Sequence, residues 1–394
     1  MSLGEKLSTG RNADQLELDS TLETLEDPKY LSEQLITYIG NKRALQGQIN
    51  SVIEKIRQDV GGRRLESCDA FSGSGIISRL MKRHSHTLWT NDLEDYATVI
   101  SKAYLTNKSS VDMQALRQEI IRINEIAASN ERPTGFISKL YAPIDDQDIK
   151  ENERVFYTTE NAKRLDAFAQ LIQEQSGEFK DLLFGPLLSA ASVHANTGGV
   201  FKGFYKDTQT GRGKFGGSGA DALKRIMAPI TLKEPVLSRF DSSINVLQGD
   251  AAALSNQIGK VDLVYLDPPY NQHPYGSNYF MLNLLINYKE PEEISRVSGI
   301  PTDWNRSDYN VRQKSFEALS NLVSNIRATY TVISFSDDGF LNPRELEDFL
   351  AKLGDVKVLD IDYNTFRGSR NLAARSIRIT EHLFILKRTN YGKA

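Results

Sequence analysis

Apolar residues fall into short runs along the chain, separated by glycine, proline and acidic positions. Four runs rich in Val, Ile, Leu and aromatics lack full polar alternation and read as buried parallel strands. Residues 64–70 form the first, followed by Phe71-Ser72-Gly73-Ser74-Gly75 and a helix-like stretch at 76–81. Residues 87–90 end at Asn91-Asp92, residues 261–266 at Asp267-Pro268-Pro269-Tyr270, and residues 330–335 at Ser336-Asp337-Asp338-Gly339. Two further candidates lie at 356–361 and 382–387. Strand, turn and helix recur, which predicts an open α/β sheet with ligands at the carboxyl ends of its strands, where each of these turns falls.

Between the runs at 87–90 and 261–266 lie ~165 residues, too many for one crossover. Helical periodicity at 114–127, 159–175 and 180–194 predicts a mainly helical inserted domain, closed by a glycine-rich stretch at 196–220 expected to form loops, some ordered only on a partner. Leu45, Ile49, Ile53 and Ile56 mark an amphipathic helix ahead of the first strand. The organisation expected is an acidic, mobile or loosely docked arm (1–30), a first catalytic half (31–110), an insertion (111–240) and a second catalytic half (241–394).

Composition narrows the class. With 40% hydrophobic and 25% charged residues over 394 positions, the chain is a globular protein of about two domains. The single cysteine, Cys68, rules out an internal disulfide framework, and the five histidines show no metal-ligand spacing, so no metal is expected. The lack of a long apolar run and the acidic N-terminus argue against membrane insertion and secretion and predict a cytoplasmic protein. A net charge of −3 gives no global reason to expect nucleic acid. Its distribution does: residues 197–240 hold eight basic side chains against three acidic ones, interleaved with Phe201, Phe204, Tyr205 and Phe215.

Asp267-Pro268-Pro269-Tyr270 is the most specific motif. Two prolines cannot continue a buried strand, so they fix a rigid turn that leaves Asp267 at the strand tip. The exocyclic amine of a nucleobase is a poor nucleophile because its lone pair is delocalised into the ring. The Asp267 carboxylate and the Pro268 carbonyl could accept its two N–H groups, and Tyr270 offers a flat face for the base. The bland alternative is a proline-terminated strand with an incidental acid. Asp69 to Gly75 is a weaker signal: its glycines allow close backbone approach to a ligand, which suits nicotinamide, flavin or sulfonium cofactors alike. Ser78 stands where a dinucleotide fingerprint needs its third glycine. Asp92 follows at about the offset of a ribose-binding acid. Tyr38-Ile39-Gly40-Asn41-Lys42-Arg43, taken alone, reads as a helix start with solvated basic residues.

Taken in order, Tyr-x-Gly-x-Lys, Asp-x-Phe-x-Gly-x-Gly, Asn-Asp, a large insertion and Asp-Pro-Pro-Tyr resemble the Dam-like (alpha-group) adenine-N6 DNA methyltransferases of the restriction–modification type. The resemblance covers residues 31–390 and includes residues 334–339 and 363–370. It implies a Rossmann-like S-adenosylmethionine-dependent sheet with an inserted DNA-recognition domain. Tyr38, Asn41 and Lys42 would then hold the methionine part of the cofactor, Lys42 by pairing its carboxylate. Asp69, Phe71, Gly73 and Gly75 would line its amino-acid end, Asp92 its ribose hydroxyls, and Asp250, within Gly249-Asp250-Ala251, its adenine. Asp267, with Pro268 and Pro269, would orient the target amine, and Tyr270 would stack on the base.

Such an enzyme must rotate its target adenine out of duplex DNA. Phosphate contacts are expected from Lys202, Lys206, Arg212 and Lys214, supported by Arg367 and Arg370. A monomer acting on each strand in turn is expected, with or without a cognate restriction endonuclease. The competing readings are a cytosine-N4 methyltransferase, which more often carries Ser in place of Asp267, and an RNA or protein amino methyltransferase, which more often carries Asn. A nicotinamide oxidoreductase is disfavoured by the missing glycine. A catalytically silent DNA-binding module is disfavoured because every required motif position is filled.

Overall fold

The computed structural model describes residues 26–217, 220–269, 271–337, 339–364 and 378–389. The helices are α1 (Pro28–Ser32), α2 (Gln46–Asp59), α3 (Ile76–Lys82), α4 (Asp95–Leu105), α5 (Met113–Ala128), α6 (Phe136–Tyr141), α7 (Thr159–Gln173), α8 (Glu178–His194), α9 (Ala220–Met227), α10 (Leu254–Gln257), α11 (Tyr275–Asn278), α12 (Phe280–Asn287), α13 (Arg312–Asn325) and α14 (Pro343–Leu350). The strands are β1 (Leu65–Asp69), β2 (Ser85–Asp92), β3 (Ser243–Gln248), β4 (Val261–Leu266), β5 (Ala328–Ser336), β6 (Gly354–Asn364) and β7 (Arg378–Arg388).

They form one seven-stranded sheet in the order β3-β2-β1-β4-β5-β7-β6. The first five of these are mutually parallel, and β7 runs antiparallel to both β5 and β6. Chain order runs outward from β1 through β2 to β3, then returns to its other side at β4, so the switch point of the sheet lies between β1 and β4. Open α/β sheets leave a ligand crevice there, at the carboxyl ends of the strands. The six strands expected from apolar runs are present. The seventh, β3, escaped that reading because it is an edge strand, exposed at both ends and only half-buried between them, so its pattern carries little apolar signal.

Two apolar cores flank the sheet. Leu45, Ile49, Ile53 and Ile56, the predicted stripe of α2, pack with Leu65, Leu80 and Leu88 on one side. On the other, Val264, Leu319, Val323 and Phe384 pack under α13 and α14. The helical segment from α5 to α8 shares a third core with α4 and α12: Leu116, Ile123, Phe168 and Leu187 lie with Tyr96, Tyr104 and Phe280. Gly185 permits the close crossing of α8 on α4, since a Cβ there would lie 2.6 Å from that of Ala103. Of the acidic arm, residues 1–25 lie outside the described residues, whereas 26–30 are anchored. Glu26 accepts from Ser238 Oγ (2.6 Å), and the fully buried Tyr30 donates to the Tyr104 carbonyl (2.9 Å). No helix among the described residues is long and apolar enough to cross a membrane.

Candidate active site

A cleft with about 860 Å³ of empty space opens at the carboxyl ends of β1 and β4. Its lining includes Tyr38, Asn41, Lys42, Asp69, Phe71, Gly73, Asp92, Asp250, Asp267 and Pro269, so motifs separated by more than 200 residues meet here. Pro268 is buried beside them, and Tyr270 lies outside the described residues. Gly75 stands one layer back at the start of α3, with φ +74° and its Cβ position 3.0 Å from Ile100.

The turn after β1 is held by the tip of β2. Ser72 N–H donates to the Asn91 carbonyl (2.9 Å) and Gly73 N–H to Asp92 Oδ2 (2.8 Å). Asn91 in turn donates to the carbonyls of Ala70 and Gly249, joining the ends of β1 and β3. Gly73 has φ +48°, and a Cβ on it would lie 2.8 Å from the Tyr38 hydroxyl, so only glycine fits without displacing the tyrosine. Tyr38 itself stacks with both Tyr275 (4.9 Å) and Tyr279 (5.0 Å), which also stack with each other.

At the far end, Phe71 meets Tyr309 edge to face at 5.0 Å. Asp250 lies beside them and accepts from Ala252 N–H (2.9 Å). Between the ends lies a row of enclosed acids. Burial pushes the carboxyls of Asp69 and Glu94 up to about 7 and that of Asp92 upward too, against the hydrogen bonds each accepts. Asp69 uses Oδ2 to accept from Ser78 Oγ (2.5 Å), while its buried Oδ1 has no partner among the described residues. Buried carboxylates with spare lone pairs favour a cationic ligand rich in N–H and O–H donors. S-adenosylmethionine, with a sulfonium, an ammonium and ribose hydroxyls, fits that demand.

Lys42 is the one basic residue among the described residues of the lining, and it is already engaged. Its Nζ lies 3.1 Å from Asp267 Oδ1 and 2.9 Å from Glu381 Oε1. Two carboxylates of the chain share the ammonium, because β7 brings Glu381 across β5 to the foot of the cleft. Burial pushes the Asp267 carboxyl up to about 7, with Lys42 lowering it and Glu381 raising it.

Sequence reasoning missed Glu94, Tyr309 and Glu381. Glu94 binds Asn283 of α12 (2.8 Å) and Asn305 (3.4 Å), and a signal existed in its position two residues beyond Asp92. Tyr309 and Glu381 gave none, since only the tertiary fold brings them to the cleft.

Of the expected DNA contacts, Arg367 and Arg370 lie outside the described residues. Lys206, Arg212 and Lys214 lie on a two-stranded ribbon spanning 205–214, paired by Lys214 N–H to the Tyr205 carbonyl (2.9 Å) and Asp207 N–H to that of Arg212 (2.8 Å). Residues 208–212 at its tip are exposed. Lys202, just ahead, is also exposed, and its carbonyl accepts from Ser298 Oγ (2.6 Å). The stretch joins the site through Phe201 N–H, which donates to the carbonyl of Asn278 (2.8 Å) at the end of α11.

A sheet of this order with its cleft at the β1/β4 switch point is the Rossmann-like methyltransferase fold. Residues 38–334 match the family described as D12 class N6 adenine-specific DNA methyltransferase, and the chain belongs to it. Type II methyltransferase M.NlaIII of Neisseria lactamica is 26% identical over 370 residues, covering 90% of this chain and 100% of its own. Type II methyltransferase M.CviAII of Paramecium bursaria Chlorella virus 1 is 27% identical over 358 residues, 89% of this chain and 98% of its own. Modification methylase StsI of Streptococcus sanguinis is 25% identical over 377 residues, 90% of this chain and 52% of its own length. The protein is thus an adenine-specific DNA methyltransferase acting at N6.

Proposed function

We propose that this enzyme is the modification methyltransferase of a type II restriction–modification system, using S-adenosylmethionine as methyl donor on a flipped adenine. The observation that carries the reading is the convergence of Asp69 and Asp267 on one cleft, one at each side of the switch point. Bound there, S-adenosylmethionine supplies an electrophilic methyl group. Asp69 Oδ1 accepts from the donor's ammonium, Asp92 binds the ribose hydroxyls, and Phe71, Tyr309 and Asp250 enclose the adenine end. Asp267 accepts an N–H of the target amine, supported by the Pro268 carbonyl, and aligns its lone pair for in-line attack. Alignment of this kind, more than acid–base power, is what displacement at a methyl carbon needs. Tyr270 stacks on the extruded base.

The 205–214 ribbon carries the duplex contacts. Phe201, just ahead of it, is bonded to Asn278, which follows the Asp-Pro-Pro-Tyr turn, and the ribbon's exposed Lys206 and Arg212 suit phosphates. Names of the relatives support the restriction–modification role, and the chain acts as a cytoplasmic monomer with or without a partner endonuclease. The test is direct reading of modified bases in genomic DNA from a methylation-deficient bacterial host expressing the chain. N6-methyladenine in one fixed short motif, absent with Asp267→Ala, is expected; N6-methyladenine scattered without a motif would sink the restriction–modification role.

A further inference from the structure

Glu381 is fully buried, yet its carboxylate does not face an isolated cation. One oxygen, Oε1, takes both Lys42 Nζ at 2.9 Å and Ser334 Oγ at 2.5 Å. The same ammonium lies 3.1 Å from Asp267. Two carboxylates and one ammonium make a line of three charges, with side-chain exposure of 0% at Glu381, 2% at Lys42 and 18% at Asp267. Lys42 and Asp267 both line the cleft, and Asp267 is the more exposed of the two.

Enclosing a carboxylate in this way is unfavourable unless it is paired. A lysine meant only to hold Asp267 would need no second acid behind it. The reaction gives the second acid a purpose. As the amine's lone pair forms the N6–C bond, the S–C bond breaks with its electron pair on sulfur, and positive charge moves onto nitrogen until one N6 proton is released to water. An unneutralised ammonium behind Asp267 would withdraw electron density from its carboxylate and oppose that charge. Glu381 shares the lysine's charge, so less of it is felt at Asp267.

We propose that Glu381 is a positioning residue for methyl transfer: acting through Lys42, it offsets the pull of the ammonium on Asp267 and holds that carboxylate toward the exocyclic amine. This inference rests on the role given to Asp267 above. Among the described residues, four groups from four elements face that carboxylate: Lys42 from the N-terminal loop, Asp69 from β1, Tyr265 from β4 and Glu381 from β7.

The test is a double-mutant cycle on the full chain with duplex DNA containing its target motif. Glu381→Gln keeps the shape and the acceptor for Ser334 but removes the charge. Its single-turnover rate is expected to fall about 30-fold or more, with donor and duplex affinities within about threefold of the parent, and the acid limb of its rate profile is expected to move to lower pH. Adding Lys42→Met, which removes the charge that Glu381 no longer offsets, is expected to restore the rate about tenfold. A Glu381→Gln variant that transfers methyl at the parent rate, while Asp267→Ala is inactive, overturns this proposal and leaves the Asp267 role standing; an active Asp267→Ala removes that role first. Should Glu381→Gln fail to fold, the double variant is compared with Lys42→Met alone. The double is expected to be about tenfold faster, and a double that is no faster, or that also fails to fold, assigns Glu381 a structural role and overturns the proposal.

Discussion

Asp92 Oδ2 accepts the backbone N–H of Gly73 at 2.8 Å, so the acid that ends β2 also sets the turn that follows β1. Its other oxygen caps the next segment, accepting from Glu94 N–H at 3.0 Å. The cofactor-side geometry thus depends on a contact between two strand ends 19 residues apart in sequence.

Gly73→Ala should break that contact. The residue sits at φ +48° with the Tyr38 hydroxyl where a Cβ would go, and a left-handed conformation costs a β-carbon-bearing residue about 1–2 kcal/mol before any clash. We expect donor affinity to fall about tenfold or more, measured by calorimetry, and the melting temperature to fall by a few degrees, as that conformational cost requires. Unaltered affinity would show that the turn is not part of the donor site.

Asp69 predicts a trade between stability and binding. Burial holds its carboxyl at about 7 against an ordinary 3.8, so between those values the folded protein binds more protons than the unfolded one. Stability contributed by this group therefore falls as pH rises from about 4 to about 7. Asp69→Asn can keep the acceptor for Ser78 while removing the unpaired charge. The ligand-free variant is expected to melt several degrees higher than the parent at pH 8 and to bind donor at least tenfold more weakly. Lower melting together with intact binding would contradict the assignment.

Asp267 sets the pH dependence of transfer. Burial raises its carboxyl to about 7, and only the ionised form accepts a hydrogen bond on both oxygens. The kcat/KM profile, which reports the free enzyme, is expected to rise tenfold per pH unit below about 7 and to level off above it. Asp267→Asn should lower the plateau by at least a hundredfold and abolish the acid limb. A profile that is flat between pH 5.5 and 8 would remove Asp267 from the rate-determining chemistry.

How far the sequence reached has a physical pattern. Strands buried in the middle of the sheet announce themselves: β1 and β4 are buried along nearly their whole length, and each ends in a turn whose glycines or prolines have a backbone reason to be there. Edge strand β3 is half-solvated and mute. The site divides the same way. Residues at strand tips, Asp69, Asp92 and Asp267, were legible because tip position and chemistry coincide within a few residues. Lys42 was found, but its contact with Glu381 was not, because that carboxylate sits on β7, more than 300 residues away, with nothing in the surrounding sequence to mark it. No local pattern shows that Glu381 crosses beneath β5 to reach it; only the antiparallel register of β5 with β7, pairing Ser336 with Glu381, does so.

The basic ribbon gives the last prediction. Lys206 and Arg212 sit near the end of a turn fixed by Asp207, whose carboxylate accepts the N–H groups of Gln209 (3.0 Å) and Thr210 (2.9 Å). Gly213 anchors the base of the ribbon, leaving no room for a Cβ beside Val155. Charges on so constrained a tip cannot relocate to compensate for each other, so their loss should be visible one by one. Each phosphate contact removed lowers the slope of log affinity against log salt by about 0.9. Lys206→Gln with Arg212→Gln is therefore expected to lower that slope by about 2 and to weaken duplex binding about equally for target and non-target sequences. Both are read from titrations between low and moderate salt, with donor affinity as the control. An unchanged slope would place the phosphate contacts elsewhere. Selective loss of the target sequence alone would mean that the two side chains read bases instead.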